Sequence, residues 1–119
     1  MESYPKPQLL IINSWVVVVT WFFLITFILS LVLVAFGISE AFFGLLAFIP
    51  LLVFAMLHVA LSFKLRCPAC NKMVMVQGLV PPHANARKRK YLNAWSTVVL
   101  DILIEGNFIC LHCGRLYGV

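Results

Sequence analysis

The chain has 119 residues, of which 63% are hydrophobic and only 11% are charged, and its mean hydropathy is +1.03. Soluble domains are about 45–50% apolar and about 25% charged, so this composition excludes an ordinary soluble protein. The formal net charge is +5, which favours anionic partners or an anionic surface.

The first long apolar segment follows a short polar lead. Residues 1–8 contain Pro5 and Pro7, which predicts an extended, mobile lead. No charged residue occurs from Leu9 to Phe36, and a helix needs about 20 apolar residues to cross a bilayer. We therefore predict a transmembrane helix over 9–36. A signal peptide has a basic start and an apolar region of only about 7–15 residues, so we expect this helix to be retained.

The second apolar segment lies close behind the first. Residues 37–40 form the only break, so we predict an external turn there and a tight antiparallel hairpin. The next span, 41–63, contains one ionisable side chain, His58, and a proline, Pro50, which predicts a kink. We expect His58 to be a satisfied or interface-reaching side chain more than a haem or metal ligand. Neither span contains the acidic or basic residues that mark transport pathways.

The basic residues indicate the orientation of the hairpin. Eight of the nine lysines and arginines follow residue 63, whereas the turn contains only Glu40. Because cytoplasmic loops carry an excess of basic residues, we predict that both termini are cytoplasmic. The expected location is the inner or plasma membrane.

The cysteines form two matched pairs in the tail, 64–119. The pairs are Cys67-x-x-Cys70 and Cys110-x-x-Cys113, a pattern typical of a tetrahedral four-sulfur metal site. We expect Zn²⁺, with iron as the alternative. Disulfides would need an oxidising compartment, against the predicted orientation, and a redox pair would explain only one motif. We expect His112 to point outward rather than bind metal.

These motifs resemble the paired knuckles of the zinc-ribbon group, which read C-P-x-C-G and C-x-x-C-G. The resemblance covers the knuckles and their flanking strands, and it implies a closed, structural metal site. Asn71 stands where the first knuckle of the group has glycine. The 39 residues between Cys70 and Cys110 exceed the usual 15–20, so we expect an insertion over 77–106.

The sequence around and within the insertion predicts strands at 73–76 and 108–111, a loop at 81–85, and a helix. The helix is expected to begin after Asn93 and to end at Gly106, with Thr97, Asp101 and Glu105 opposite its apolar face. It could pack on the ribbon, but we favour the membrane interface. The residues predicted to bind the membrane surface or an anionic partner are Lys64, Arg66, Arg87, Lys88, Arg89 and Lys90.

The predicted fold is a membrane protein, an all-α two-helix hairpin with a small C-terminal Cys₄ zinc ribbon of short strands and one amphipathic helix. No catalytic triad, carboxylate pair or phosphate-binding loop occurs in the sequence, which favours a non-catalytic role with no small-molecule substrate. We expect an accessory, assembly or scaffold subunit of a larger membrane complex, or a homo-oligomer. The alternatives are a membrane-tethered rubredoxin-like electron carrier and, less favoured, a membrane-anchored nucleic-acid-binding module.

Overall fold

The computed structural model describes all residues from Met1 to Val119. The protein is mostly helical, with two long apolar helices and a small three-stranded sheet, as the sequence predicts in outline. The elements in chain order are β1 (Glu2–Ser3), α1 (Pro7–Ala35), α2 (Ala41–Lys64), α3 (Ala94–Glu105), β2 (Asn107–Ile109) and β3 (Leu116–Gly118).

The chain divides into two compact units. Residues 16–59 form the first, here called the helical unit. Residues 1–15 and 60–119 together form the second, here called the cysteine unit. The cysteine unit therefore contains the start of α1 and the end of α2 in addition to the whole tail.

The ends of α1 follow from local sequence. Pro7 occupies the first helical position, where its fixed φ suits the helix and its missing N–H costs nothing. At the other end Gly37 adopts a left-handed φ of 70°. The N–H of Ile38 bonds to the carbonyl of Leu33 at 2.9 Å, and that of Gly37 bonds to Val34 at 2.9 Å. These two bonds are the Schellman arrangement, which stops α1 before the turn.

Within the helical unit, aromatic side chains join the two helices. Phe23 stacks on Phe54 with ring centroids 5.8 Å apart, and Phe27 lies 5.3 Å from Phe48. Pro50 lies inside α2, which continues through it. The outward-facing side chains are overwhelmingly apolar; Met56, for example, is 72% exposed. By length and composition, both helices are able to cross a membrane.

The cysteine unit is organised by its sheet, in which β3 is the central strand. β3 pairs antiparallel with β2, with Phe108 opposite Tyr117, and parallel with β1, with Glu2 opposite Tyr117. The lead is extended, as expected, but it is held by hydrogen bonds: Tyr4 N–H bonds to the Gly118 carbonyl at 2.9 Å. The expectation of a mobile lead overlooked the free edge of β3, whose backbone groups need partners.

Only part of the strand prediction is confirmed. β2 covers Asn107–Ile109, close to the predicted 108–111. Residues 73–76 form no strand, and their only ladder contact is an isolated bridge between Arg66 and Met73. Val74 and Met75 are buried, and the Val74 N–H bonds to the Leu65 carbonyl at 3.0 Å. Val74 and Met75 therefore contribute their side chains to the core from a turn instead of from a strand.

The core of the cysteine unit is centred on three aromatic rings. Tyr4 meets Phe108 edge-on at 5.6 Å and Tyr117 edge-on at 6.1 Å, while Phe108 stacks on Tyr117 at 5.5 Å. The start of α1 joins this core through the buried Asn13, whose Nδ2 donates to Ser62 Oγ at 3.3 Å and lies 3.0 Å from Met75 Sδ. Residues from the two ends of the sequence thus share one interior.

Helix α3 has the predicted bounds, and Gly106 ends it in the left-handed conformation with a φ of 63°. Asn93 precedes it but makes no side-chain cap. Val98, Val99 and Ile102 are buried as predicted, but Thr97 and Asp101 are buried as well. The polar face opposite the apolar one is therefore itself buried at these two positions. Two arginines of the preceding loop neutralise Asp101, and Thr97 Oγ1 bonds to the Asn93 carbonyl at 3.2 Å.

We predict that Phe108→Ala destabilises the cysteine unit by about 3–5 kcal/mol, because the fully buried ring would leave a cavity between Tyr4 and Tyr117. The measurement is urea unfolding of the full chain in non-ionic detergent, followed by protease resistance of the tail. Phe63→Ala is the matched control, since that ring belongs to the same unit but is 57% exposed. Equal midpoints for the two variants would contradict the assignment of Phe108 to the core.

Candidate metal centre

The first cysteine pair lies on a tight turn directly after α2. The N–H of Asn71 donates to the Cys67 carbonyl at 2.8 Å, and the Cys67 N–H donates to the Lys72 carbonyl at 2.8 Å. These bonds fold the segment back on itself. Asn71 has a φ of 56° and is the only non-glycine residue of the chain with a positive φ. Asparagine tolerates this conformation better than most residues, which fits its position in place of the knuckle glycine of the zinc-ribbon group.

The second pair repeats the same turn between β2 and β3. The Gly114 N–H donates to the Cys110 carbonyl at 2.9 Å, and the Cys110 N–H donates to the Arg115 carbonyl at 2.8 Å. Gly114 has a φ of 71°. Each of these bonds has an equivalent in the first knuckle. The two knuckles therefore have the same backbone hydrogen-bonding pattern.

The two knuckles bring four sulfur atoms together. Cys67 Sγ lies 3.6 Å from Cys113 Sγ, and Cys70 Sγ lies 3.8 Å from Cys110 Sγ. All four sulfurs lie within 4.8 Å of one another. A tetrahedron with metal–sulfur bonds of about 2.3 Å has edges of about 3.8 Å. The four cysteines could therefore hold one metal ion, and their arrangement is consistent with a zinc-ribbon-like knot.

The distances between the sulfur atoms exclude disulfide bonds in this structure. They are compatible with either zinc or iron. The four thiols are free, and the shortest of the quoted sulfur separations, 3.6 Å, far exceeds a disulfide bond of about 2.05 Å. A tetrahedral sulfur shell suits zinc and iron alike. All four positions are filled by protein ligands, so an ion held here would have no open position for water or substrate.

The thiols differ in how easily they ionise. Burial opposes ionisation of Cys67, but hydrogen bonds from the Tyr117 hydroxyl and from the backbone at Cys70 and Ala69 outweigh it, lowering its pKa to about 7. Burial raises the pKa of Cys110 and, less strongly, that of Cys70. A bound cation would reverse this penalty, because a coordinated thiol is deprotonated. Metal binding at this site is therefore coupled to proton release.

Two tyrosines shield the centre from the core side. Tyr117 Oη lies 3.4 Å from Cys67 Sγ, and burial raises the pKa of Tyr117. Burial, together with the nearby Cys67 and Cys110, raises the pKa of Tyr4 to about 12. Both hydroxyls are therefore neutral donors at neutral pH. The Tyr4 hydroxyl donates to the Arg66 carbonyl at 3.0 Å, which ties the lead to the strand-like entry of the first knuckle.

The histidines near the centre have structural contacts. His112 Nε2 lies 3.0 Å from the Val76 carbonyl, and the four-sulfur cluster does not include it. The His83 N–H donates to the Leu111 carbonyl at 2.7 Å, and the His83 ring lies directly against Gly114. Sequence reasoning missed His83, Tyr4 and Tyr117. Only the proximity of Tyr117 to the second knuckle offered a signal.

The predicted basic residues fall into two groups. Lys64 and Arg66 line an open cavity beside the first knuckle. Arg87 and Arg89 instead form ion pairs with α3. The pairs are Arg89–Asp101 at 2.8 Å, Arg89–Glu105 at 3.2 Å, Arg87–Asp101 at 3.5 Å and a direct Arg87–Glu105 contact. Lys88 and Lys90 remain exposed, and Lys90 Nζ lies 5.4 Å from the centroid of the Tyr91 ring. The predicted surface role of this run stays a prediction.

Comparisons with known proteins add no assignment: no family model, curated protein or solved structure matches the chain.

We predict that Gly114→Ala weakens metal binding, whereas Asn71→Gly leaves it unchanged. An alanine at 114 would be strained at its positive φ, by about 1–2 kcal/mol, and its Cβ would collide with the His83 ring. Competition with a chromogenic chelator measures the affinity. The double variant Gly114→Ala/His83→Ala should recover the part of the loss that the collision causes. Full affinity in Gly114→Ala would contradict the packing of His83 on the knuckle.

Proposed function

We propose that this protein is a small integral membrane protein with a juxtamembrane zinc ribbon. It would act as an accessory, assembly or scaffold subunit of a larger membrane complex. One observation carries the proposal: the four-thiol cluster belongs to the same compact unit as the ends of both long apolar helices. The proposed metal platform thereby includes the ends of both proposed spanning helices.

Membrane insertion is supported by how little of the helices the protein itself buries. The most apolar windows of α1 and α2 have mean hydropathies of 2.8 and 2.4, yet only 17% and 11% of them are buried. A core helix of a soluble protein is mostly buried. Exposing this much apolar side chain to water would be costly, whereas lipid would cover it at no such cost.

Retention of the first helix is supported by the cysteine unit. Removal of α1 as a signal sequence would also remove β1, the buried Tyr4 ring and the buried Asn13. Tyr4 contacts Phe108 and Tyr117 beside the metal centre, and Asn13 contacts Ser62 and Met75. The folded tail therefore uses residues that a cleaved protein would lack.

The proposed orientation has both termini in the cytoplasm. The start of α1 and the end of α2 belong to one compact unit, which supports a hairpin with both ends on one side. All nine lysines and arginines lie in that unit, and the turn contains Glu40 alone. The excess of basic residues on cytoplasmic segments then favours a cytoplasmic cysteine unit, where free thiols persist.

The metal is proposed to be zinc with a structural role. A closed four-thiolate shell leaves no position for chemistry, and metal binding adds folding free energy to small domains that lack a large core. Here the sheet has strands of only two or three residues, so the knuckles need an additional restraint. A rubredoxin-like electron carrier would instead require iron in the same shell.

The accessory role is supported by the surface of the insertion. Four apolar or aromatic residues of the insertion are exposed, namely Leu79, Val80, Tyr91 and Leu92. Such residues suit contact with another protein more than with water. The ion pairs of Arg87 and Arg89 with α3 leave fewer free bases for a nucleic acid, which disfavours the third alternative.

We predict that the full chain, purified in mild detergent, contains one zinc ion per chain and copurifies with a larger membrane assembly. Cys67→Ser should abolish metal binding and make the tail protease-sensitive, while the chain still resists alkaline carbonate extraction from membranes. Ser3→Ala is the control, because it leaves the thiols untouched. If the protein contained iron and showed visible thiolate-to-iron absorption, the scaffold proposal would be wrong and the electron-carrier alternative would be favoured. Release by carbonate would refute membrane insertion.

We predict that Glu40→Cys is labelled by a membrane-impermeant maleimide added to intact cells, because the turn is proposed to face outside. Lys72→Cys, an exposed position of the cysteine unit, should be labelled only after permeabilisation. Mass shifts on a denaturing gel report both reactions. The reverse pattern would overturn the orientation while leaving the hairpin intact.

A further inference from the structure

An open cavity of about 340 Å³ lies in the cysteine unit where the lead just before α1, the end of α2 and the first knuckle meet. Its volume falls within the usual range of small-molecule sites, roughly 300–1,000 Å³. Its lining contains three cations, namely Lys6, Lys64 and Arg66, and no acidic residue. This combination favours an anionic occupant.

These three cations have no acidic partner, and the pairing of the other charges explains why. The cysteine unit contains three acidic residues. Asp101 and Glu105 pair with Arg87 and Arg89, and Glu2 lies 3.7 Å from Arg115. Each acid is thus matched to an arginine elsewhere, and no acidic side chain balances the three positive charges of the cavity.

Two simpler explanations account for only part of this charge. Lys64 is the last residue of α2, where a cation interacts favourably with the helix dipole. A four-thiolate site with one divalent ion carries a charge of about −2, and Cys67 borders the cavity. However, Cys67 is only 1% exposed, and its sulfur lies 3.4 Å from the Tyr117 hydroxyl on the core side. Neither explanation requires Lys6, far away in sequence, to converge with Arg66.

We propose that this cavity binds the phosphate of an anionic phospholipid headgroup. The inference rests on the proposed membrane insertion, because Lys6 and Lys64 flank the ends of the two spanning helices, at the depth where headgroups lie. Arg66 donates one N–H to the Asn71 carbonyl at 3.0 Å, which orients the guanidinium and leaves its other donors for phosphate oxygens. The two lysines would supply point charges beside it.

A lipid is the proposed occupant, not free phosphate, because the lining residues Lys6 and Lys64 lie at the ends of the two proposed spanning helices. A lipid phosphate is held at the bilayer surface by its own acyl chains, so its local concentration is high. The bound headgroup would also link the lead, the end of α2 and the first knuckle through one ligand. The expected consequence is a preference for anionic over zwitterionic lipids.

The test is calorimetric titration of the full, metal-loaded chain in non-ionic detergent with dihexanoyl phosphatidylglycerol. We expect saturable binding of one lipid, no binding of dihexanoyl phosphatidylcholine, and at most weak binding of inorganic phosphate. Since a basic residue contributes about 1 kcal/mol near anionic lipid, Lys6→Gln and Arg66→Gln should each weaken binding about fivefold. Lys72→Gln, an exposed lysine outside the cavity, should leave it unchanged.

The outcomes separate this inference from the proposed function. Equal weakening by Lys72→Gln and Lys6→Gln would show diffuse surface attraction and overturn the site. Inorganic phosphate that binds as tightly as the lipid would overturn the lipid assignment. Loss of zinc from Lys6→Gln would assign the cations to charge balance at the metal centre. Carbonate extraction reports insertion independently, so a chain that stays inserted without selective lipid binding refutes the cavity alone.

Discussion

The convergence of four cysteine sulfurs is the constraint on which the cysteine unit depends. Its strands are two or three residues long, too short to specify a sheet by pairing alone. The two knuckles, with matching hydrogen bonds and matching left-handed residues at 71 and 114, fix where β2 ends and β3 begins. The second knuckle reverses the chain between β2 and β3, so that Phe108 lies opposite Tyr117, and the aromatic core is built on this pair.

The N-terminal residues of the chain also pack into this core. The edge of β3 is completed by β1, and the Tyr4 ring packs edge-on against both Phe108 and Tyr117. The start of α1 follows through Leu10 and Asn13, both fully buried. Within the cysteine unit, the start of α1 and the end of α2 therefore share an interior with the proposed metal platform. A partner docked on the platform would be held at a defined position relative to the ends of both helices.

Charge is distributed in the cysteine unit according to side-chain geometry. Arg87 and Arg89 pair with the buried Asp101 and with Glu105, because the planar guanidinium can satisfy two carboxylates at once. Arg66 instead bonds to a backbone carbonyl. The lysines stay unpaired. Their positions near the helix ends and on the exposed loop suit an anionic surface. These arginines also explain why Asp101 can be buried, since a carboxylate is buried only where cations compensate for its lost hydration.

The sequence by itself determined the two long apolar helices, helix α3 with its left-handed Gly106, the two cysteine pairs, and the exchange of Asn71 for a knuckle glycine, because each depends on local spacing or on a single residue's φ preference. Tertiary structure alone decided that the lead becomes a strand, that residues 73–76 do not, and that Asp101 is buried. It also decided which side chains surround the sulfurs and the cavity. These outcomes depend on contacts between residues as distant as Tyr4 and Arg66, which no local pattern encodes.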